Sequence, residues 1–277
     1  MKQPDSLLRT LDQALEAIPG LSGAKIFSQL SDGPTNASYR LEQGGEQYVL
    51  RLDKPQAASL GLDRANEKRV CEVVAAAGLA PPPLYFDPAA GICLRRFISG
   101  RSWHRSDLLM PGNLQRLAGV LQKLHSLPPA GNVFEPAVAA RRYATQIGTA
   151  AAAAIAGRAQ EIAAEIKTYS TAGCLCHNDL VCQNVLEGER LILIDWEYAG
   201  IGDPFFDLAV VVHHHGLDRS SASVLLEAWL GQPATERATR HLSLQCDFYS
   251  CLLQLWEQLS ATNTSINLKN PQPPGGC

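Results

Sequence analysis

The sequence predicts an α+β fold of two lobes. A small N-terminal antiparallel β-sheet lobe spans residues 1–98, a larger and mostly helical lobe spans 99–262, and a disordered tail occupies 263–277. Three observations carry this reading. Runs of β type crowd the first hundred residues, the apolar spacing then turns to three and four, and one β-rich stretch, Cys174–Trp196, interrupts the helices.

The elements follow in order. Ala24–Leu30, Ser38–Gln43 and Gln47–Leu52 alternate as short strands, the last two joined by Gly44-Gly45 in the manner of a hairpin. A helix is expected over about Leu62–Ala77, closed by Gly78 and barred from continuing by Pro81-Pro82-Pro83. Leu84–Phe86 and Ile92–Ile98 read as two more strands around the turn Asp87–Gly91, with Ser99-Gly100 as a hinge. Leu114, Leu117, Leu121 and Leu124 then mark a helix. The alanine-rich stretch Pro136–Thr168 favours helix throughout, and helices resume after Trp196 to about Ala261. The last fifteen residues, NTSINLKNPQPPGGC, lack apolar periodicity and predict disorder.

Composition narrows the function classes. The formal charge is −3, from 24 basic and 27 acidic residues, so no clustered positive surface argues for nucleic acid or an anionic membrane. FFDLAVVV, the best apolar run, is broken by Asp207 and falls short of the ~18 residues that span a bilayer. MKQPDSLLRTLDQAL sets charges among leucines at helical spacing and has no apolar core of a signal peptide. A soluble, cytoplasmic protein, monomer or homodimer, is expected. The eight cysteines are too few for a disulfide-built scaffold, and in a reducing compartment they stay free.

Residues 175–200, LCHNDLVCQNVLEGERLILIDWEYAG, carry the chemistry. His177-Asn178-Asp179 is followed by Asn184 five residues after the aspartate, and an apolar strand then ends in Ile194-Asp195. From 7 His, 13 Asp and 9 Asn, about 0.01 chance occurrences of H-x-D-x4-N are expected. The spacing matches the catalytic loop and metal aspartate of the kinase superfamily. Phosphoryl transfer needs positioning and charge neutralisation. Asp179 suits the role of catalytic base, orienting or accepting the proton of an attacking hydroxyl. Asn184 and Asp195 suit magnesium, a hard ion that takes carboxylate and amide oxygens.

A competing use of the same stretch is metal binding by Cys174, Cys176 and His177. A structural zinc site needs a second ligand pair, which is missing, and the consecutive His213-His214-His215 cannot converge on one ion from a helix.

For the nucleotide, the turn Ser31–Ser38 offers Gly33, Thr35 and Asn36 as small or polar residues whose amides approach phosphates, although G-x-G-x-x-G is lacking. Arg51 in YVLRL stands where protein kinases carry the V-A-I-K lysine, and an arginine keeps the charge while adding a fork. In the next helix Glu67, Val70, Cys71 and Val74 share one face. A carboxylate on that apolar stripe needs a partner, and Arg51 is the candidate.

Together GPTNASYRL, YVLRL, NEKRV, GLAPPPLYFDPAAGICLRRFISG, LQKLHSL, HNDLVCQN and LILIDWEYAGIGDPFFDLA resemble the choline/ethanolamine kinase and aminoglycoside phosphotransferase superfamily of small-molecule kinases, with bacterial thiamine kinases also close. The resemblance covers nearly the whole chain. It implies a protein-kinase-like fold with ATP and Mg2+ in the cleft and adenine against a hinge at Arg96, Phe97 and Ile98. It also implies Asp179 as base, Asn184 and Asp195 as metal ligands, Arg51 as a phosphate contact and Asp207 as a buried structural group. YSCLLQLW, residues 249–256, looks like the helix whose aromatics hold the quaternary ammonium in choline kinases. Tyr249 and Trp256 share a helix face and are able to flank one cation, while Leu253 stands where the eukaryotic enzymes have a second tryptophan. Glu197 and Asp203 are candidates for negative charge near the acceptor. The expected activity is phosphorylation of a cationic alcohol, choline or ethanolamine first and thiamine second. An aminoglycoside or sugar kinase and a non-catalytic pseudokinase are the alternatives. Only Glu236, Asp247 and Glu257 between Ala234 and Ala261 could meet a polycationic aminoglycoside.

Overall fold

The computed structural model describes residues 11–57, 60–169 and 173–269. A five-stranded antiparallel sheet in the order β1-β2-β3-β5-β4 forms the N-terminal part. Its strands are β1 (Lys25–Asp32), β2 (Asn36–Gln43), β3 (Glu46–Asp53), β4 (Pro83–Asp87) and β5 (Ile92–Arg96). Alternation decides which side chains face where. Leu41, Leu50, Ile92 and Leu94 are buried on one face together with Leu15 and Ile18, around a helix α1 (Leu11–Ala17). The opposite face presents Val49, Arg51, Cys93 and Arg95 to a cleft. The register fixes that set, with Arg51 opposite Cys93 and Val49 opposite Arg95.

Between β3 and β4 runs α2 (Arg64–Ala76), capped by the Asp63 carboxylate, which accepts from the Asn66 N–H at 3.0 Å. Gly78, at φ 72°, ends it in the left-handed region that a Cβ disfavours. Val70, Cys71 and Val74 are buried beside Glu67, which has no exposed surface.

The C-terminal part holds α3 (Arg105–Leu108), α4 (Pro111–His125), α5 (Pro136–Ile147), α6 (Ala150–Ile166), α7 (Pro204–His214), α8 (Arg219–Leu230) and α9 (Glu236–Lys269). Leu114, Leu117, Leu121 and Leu124 of α4 are all buried, as their spacing requires. The alanine-rich stretch, expected as one helix, is two. Gly148 takes φ 72° and accepts no further helical geometry, and the Thr149 hydroxyl then caps α6 by accepting from the Ala152 N–H at 3.2 Å. Helix α9 runs past Ala261 to Lys269, into the stretch expected as tail, while residues 270–277 lie outside the described residues.

Short strands interrupt the helices. β6 (Arg101–Ser102), β8 (Val185–Glu187) and β9 (Leu191–Leu193) form one sheet, and β7 (Cys174–Cys176) pairs with β10 (Gly200–Gly202) in another. They deliver the chain from β7 through the 177–184 loop and the β8–β9 hairpin to Asp195 against the cleft of the N-terminal sheet. Among the described residues seven cysteines are unpaired, and no helix is long and apolar enough to cross a membrane.

Candidate active site

The loop after β7 is held from beneath by Asp207 of α7, which has no exposed surface. Its carboxylate accepts the backbone N–H groups of His177 and Asn178 at 3.0 and 2.7 Å, and His125 Nε2 lies 3.0 Å away. Asn178 takes φ 65° and donates through its side chain to the Tyr198 carbonyl at 3.0 Å. His177 Nδ1 accepts from the Asp179 N–H, so Nε2 carries the proton and donates to the Ile194 carbonyl at 2.9 Å. One imidazole thereby ties the Asp179 loop to the strand that ends in Asp195.

Asn184 closes the loop. Its side-chain nitrogen donates to the Asp179 backbone carbonyl at 2.9 Å and to Asp179 Oδ2 at 3.2 Å, and its backbone carbonyl accepts from the Ile194 N–H at 3.0 Å. Burial, and after it the Asp195 charge, pushes the Asp179 carboxyl up to about 7 against the Asn184 hydrogen bond. The Asp195 backbone is strained at φ 65°. With the Asn184 nitrogen committed to Asp179, its oxygen is left for another partner, and Arg51 stands 3.8 Å from the Asp195 carboxylate. Two hard oxygen donors bordering one cleft fit Mg2+.

Across the cleft Arg51 meets Glu67 as a two-bond fork, both at 2.7 Å. Arg64 adds a bond of 2.8 Å to Glu67, binds Asp53 at 2.6 Å and reaches Glu197 at 3.0 Å. Burial alone would raise Glu67, but Arg51, with Arg64 and Arg95 behind it, holds the carboxyl down at about 2. Sequence reasoning missed Arg64 and Asp53. The i, i+3 spacing of Arg64 and Glu67 on α2 was the available signal.

Two cavities meet here. The first, about 600 Å³, is lined by Arg51, Asn184 and Asp195 and also by Val49, Phe97 and Ile98. Arg96 borders it too, yet its side chain is 59% exposed and pairs with Glu46 at the surface. The second, about 380 Å³, contains Asp179, Glu197, Tyr249 and Trp256, with Gly33 and Thr35 on its wall. Ser31, Asn36, Gln183 and Asp195 border both. The Gly33–Asn36 turn is anchored across the cleft. Thr35 Oγ1 and Asn36 Nδ2 donate to the Glu197 carboxylate at 3.1 and 3.2 Å. Burial, then the Asp195 charge, pushes Glu197 up.

Leu253 shares the second cavity with Tyr249, whose hydroxyl lies 3.1 Å from His214 Nδ1. Phe134, Tyr143, Tyr198 and His214 also line it and were not singled out from sequence; nothing in their local spacing marked them, apart from the place of Tyr198 three residues after Asp195. Asp203 is not part of the site. It caps α7 by accepting from the Phe205 N–H at 3.0 Å, and His241 and Gln245 occupy its other oxygen at 2.8 Å. An Asp immediately before a Pro-initiated helix is spent as an N-cap.

The cysteine alternative fails on its donor set. Cys174 and Cys176 sulfurs are 3.7 Å apart, but both His177 nitrogens are occupied as described. His125 comes close to the thiols, yet its Nδ1 accepts from the Trp229 indole at 3.0 Å and its Nε2 faces Asp207. Neither of these two imidazoles is free for an ion.

An antiparallel sheet carrying an Arg–Glu pair, set over a helical part that presents H-x-D-x4-N and a second aspartate, is a protein-kinase-like fold. The chain belongs to the phosphotransferase enzyme family (APH), whose sequence pattern matches residues 26–242. Two sequences of the LicA protein of Haemophilus influenzae are each 29% identical. They cover 74% and 72% of this chain, which in turn spans 63% and 77% of their lengths. Among solved structures, a choline/ethanolamine kinase family protein from Mesorhizobium loti is 25% identical with a TM-score of 0.73, covering 95% of this chain and 87% of its own. The choline kinase LicA from Streptococcus pneumoniae superposes with a TM-score of 0.74 at 22% identity, over 86% and 87% of the two chains.

Proposed function

We propose that this protein is an ATP-dependent kinase that transfers the γ-phosphate to the hydroxyl of a small cationic alcohol of the choline/ethanolamine type. The carrying observation is the join of the two cavities at Asp195 and Gln183, with Asp179 in the second and Asn184 in the first. A nucleotide in the first cavity and an alcohol in the second would meet between Asp179 and Asp195. In this reading residues 1–98 hold the nucleotide and 99–262 supply the loop and the acceptor wall.

Asp179 orients the acceptor hydroxyl and takes its proton as the phosphoryl group leaves. A carboxyl raised to about 7 is matched to that exchange near neutral pH. Asn184 and Asp195 would hold Mg2+, which neutralises phosphate charge when bound. Arg51, fixed in direction by Glu67, presents its charge to the phosphates. Asn36, which borders both cavities, reaches the phosphates with Gly33 and Thr35 beside it on the acceptor side, while Phe97 and Ile98 border the base. Tyr249 and Trp256 face the acceptor cation, and Glu197, whose carboxylate is taken by Arg64, Thr35 and Asn36, holds the Gly33–Asn36 turn on the same wall. The LicA and choline/ethanolamine kinase relatives support this acceptor class.

A thiamine-type acceptor is the second reading. Five aromatic side chains, Phe134, Tyr143, Tyr198, Tyr249 and Trp256, line a cavity of about 380 Å³, which suits a cation that carries rings. The test is ADP release with choline, ethanolamine, thiamine, an amino sugar and kanamycin. Turnover is expected with choline or ethanolamine. Turnover with thiamine alone selects the second reading, and preference for kanamycin or no turnover contradicts both.

A further inference from the structure

Arg95 stands partly buried in the cleft wall with few partners. Its side chain is 12% exposed. Nη2 lies 3.2 Å from the Cys71 sulfur and 3.7 Å from Glu67 Oε1. Nε is buried with no hydrogen-bond partner among the described residues. Glu67 is already saturated by the Arg51 fork and by Arg64. A guanidinium carries five donors and no acceptor, so a weak thiol and a distant carboxylate leave this one undersatisfied, which is costly in a closed site.

The register gives the strand position from which it enters the first cavity, and its guanidinium tip lies against α2 at Cys71 and Glu67. Arg51 is paired with Cys93 and lies beside Asp195, at the end of Asn184 and the phosphates. Arg95 is paired with Val49 and is one residue short of Arg96 and Phe97. Val49, Pro81, Leu186 and Ile98 line the same cavity and give it apolar walls against which a flat ring could lie. A donor-only fork beside a ring site seeks acceptors on the ring edge. Guanine offers O6 and N7 together, and arginine takes both at once; adenine offers N7 beside an amino donor that faces the fork with like polarity. Resting on the nucleotide reading above, we infer that Arg95 reads the O6/N7 edge of a purine, so that this protein binds GTP at least as tightly as ATP.

Binding to the full-length protein, with Mg2+ and without acceptor, tests this by titration with ATP, GTP and inorganic tripolyphosphate. GTP is expected to match or exceed ATP. Arg95→Met should lower the GTP-to-ATP affinity ratio on the order of tenfold, the discrimination of one arginine–guanine pair, and leave tripolyphosphate unchanged. Arg95→Lys keeps the charge without the fork and should lower the ratio likewise, which covers a failure of Arg95→Met to fold. Tighter ATP with a ratio untouched by either variant overturns the inference. An equal loss for all three ligands places Arg95 on the phosphates and overturns it too. Binding of neither nucleotide overturns the nucleotide reading itself.

Discussion

Where α2 packs on the N-terminal sheet, Glu67 meets Arg51 and Arg64 at 2.7 to 2.8 Å and is held at about 2. In the loop after β7, Asp179 faces Asp195 with one amide for company and rises to about 7. Both carboxylates are taken from water, and the difference lies in who shares the space. A carboxylate matched by arginines is a strut, fixed in charge and direction. One buried beside another carboxylate takes up a proton far more readily than in water and costs stability while it is charged, which a protein tolerates where the proton is used. The cleft is therefore built from a satisfied half and an unsatisfied half.

The largest expected effect breaks the unsatisfied half. Asp179→Asn should lower kcat by 10²-fold or more, leave nucleotide affinity near that of the parent and raise the melting temperature, because a like-charge contact disappears. Steady-state kinetics with a thermal melt reads all three. A melting temperature that falls would deny that Asp179 is strained.

Next comes the scaffold of that half. Asp207→Ala leaves two backbone N–H groups and His125 without their acceptor, and should destabilise the protein by roughly 3 kcal/mol in denaturant titrations. The loop should lose hydrogen-exchange protection at His177 and Asn178 before the helices do.

The satisfied half answers to acid. The folded Glu67 carboxyl, at about 2, lies below its ordinary 4.5, so its contribution is complete above pH 4.5 and is lost as pH falls towards 2. The linkage amounts to roughly 3 kcal/mol in full. Denaturant unfolding between pH 5 and 3 should show a steeper loss of stability in the parent than in Glu67→Gln; parallel slopes would contradict the Glu67 assignment.

Arg96→Ala gives the smallest effect. An exposed pair with Glu46 contributes within about 0.5 kcal/mol, so stability and nucleotide affinity should stay at parental values in the same assays.

The two halves were also unequally legible. H-x-D-x4-N and the second aspartate sit within nineteen residues, and a spacing so local survives any tertiary arrangement. The Arg51–Glu67 pair was readable because an apolar stripe on α2 contained a charge that needed an answer. Arg64 left only its i, i+3 spacing from Glu67, and Asp53 and Arg95 left nothing, since their meeting depends on how α2 lies on the sheet and on the β3–β5 register. Alternation places Cys93 and Arg95 on one face, but only the pairing with Arg51 shows that this face lines the cleft; Arg96 was named with Phe97 and Ile98 from the hinge that the family resemblance implies. The break at Gly148-Thr149 was hidden by alanines that suit helix on both sides. Asp203 was misjudged because an N-cap and a site carboxylate look alike until His241 and Gln245 arrive from α9.

The most direct test of the central claim is formation of a phosphate ester on choline or ethanolamine, followed by 31P NMR with ATP and Mg2+. The parent protein should give an ester resonance that grows with the nucleoside diphosphate, and Asp179→Asn should give none above background. An ester formed equally well by both proteins, or no ester from the parent, would contradict the account.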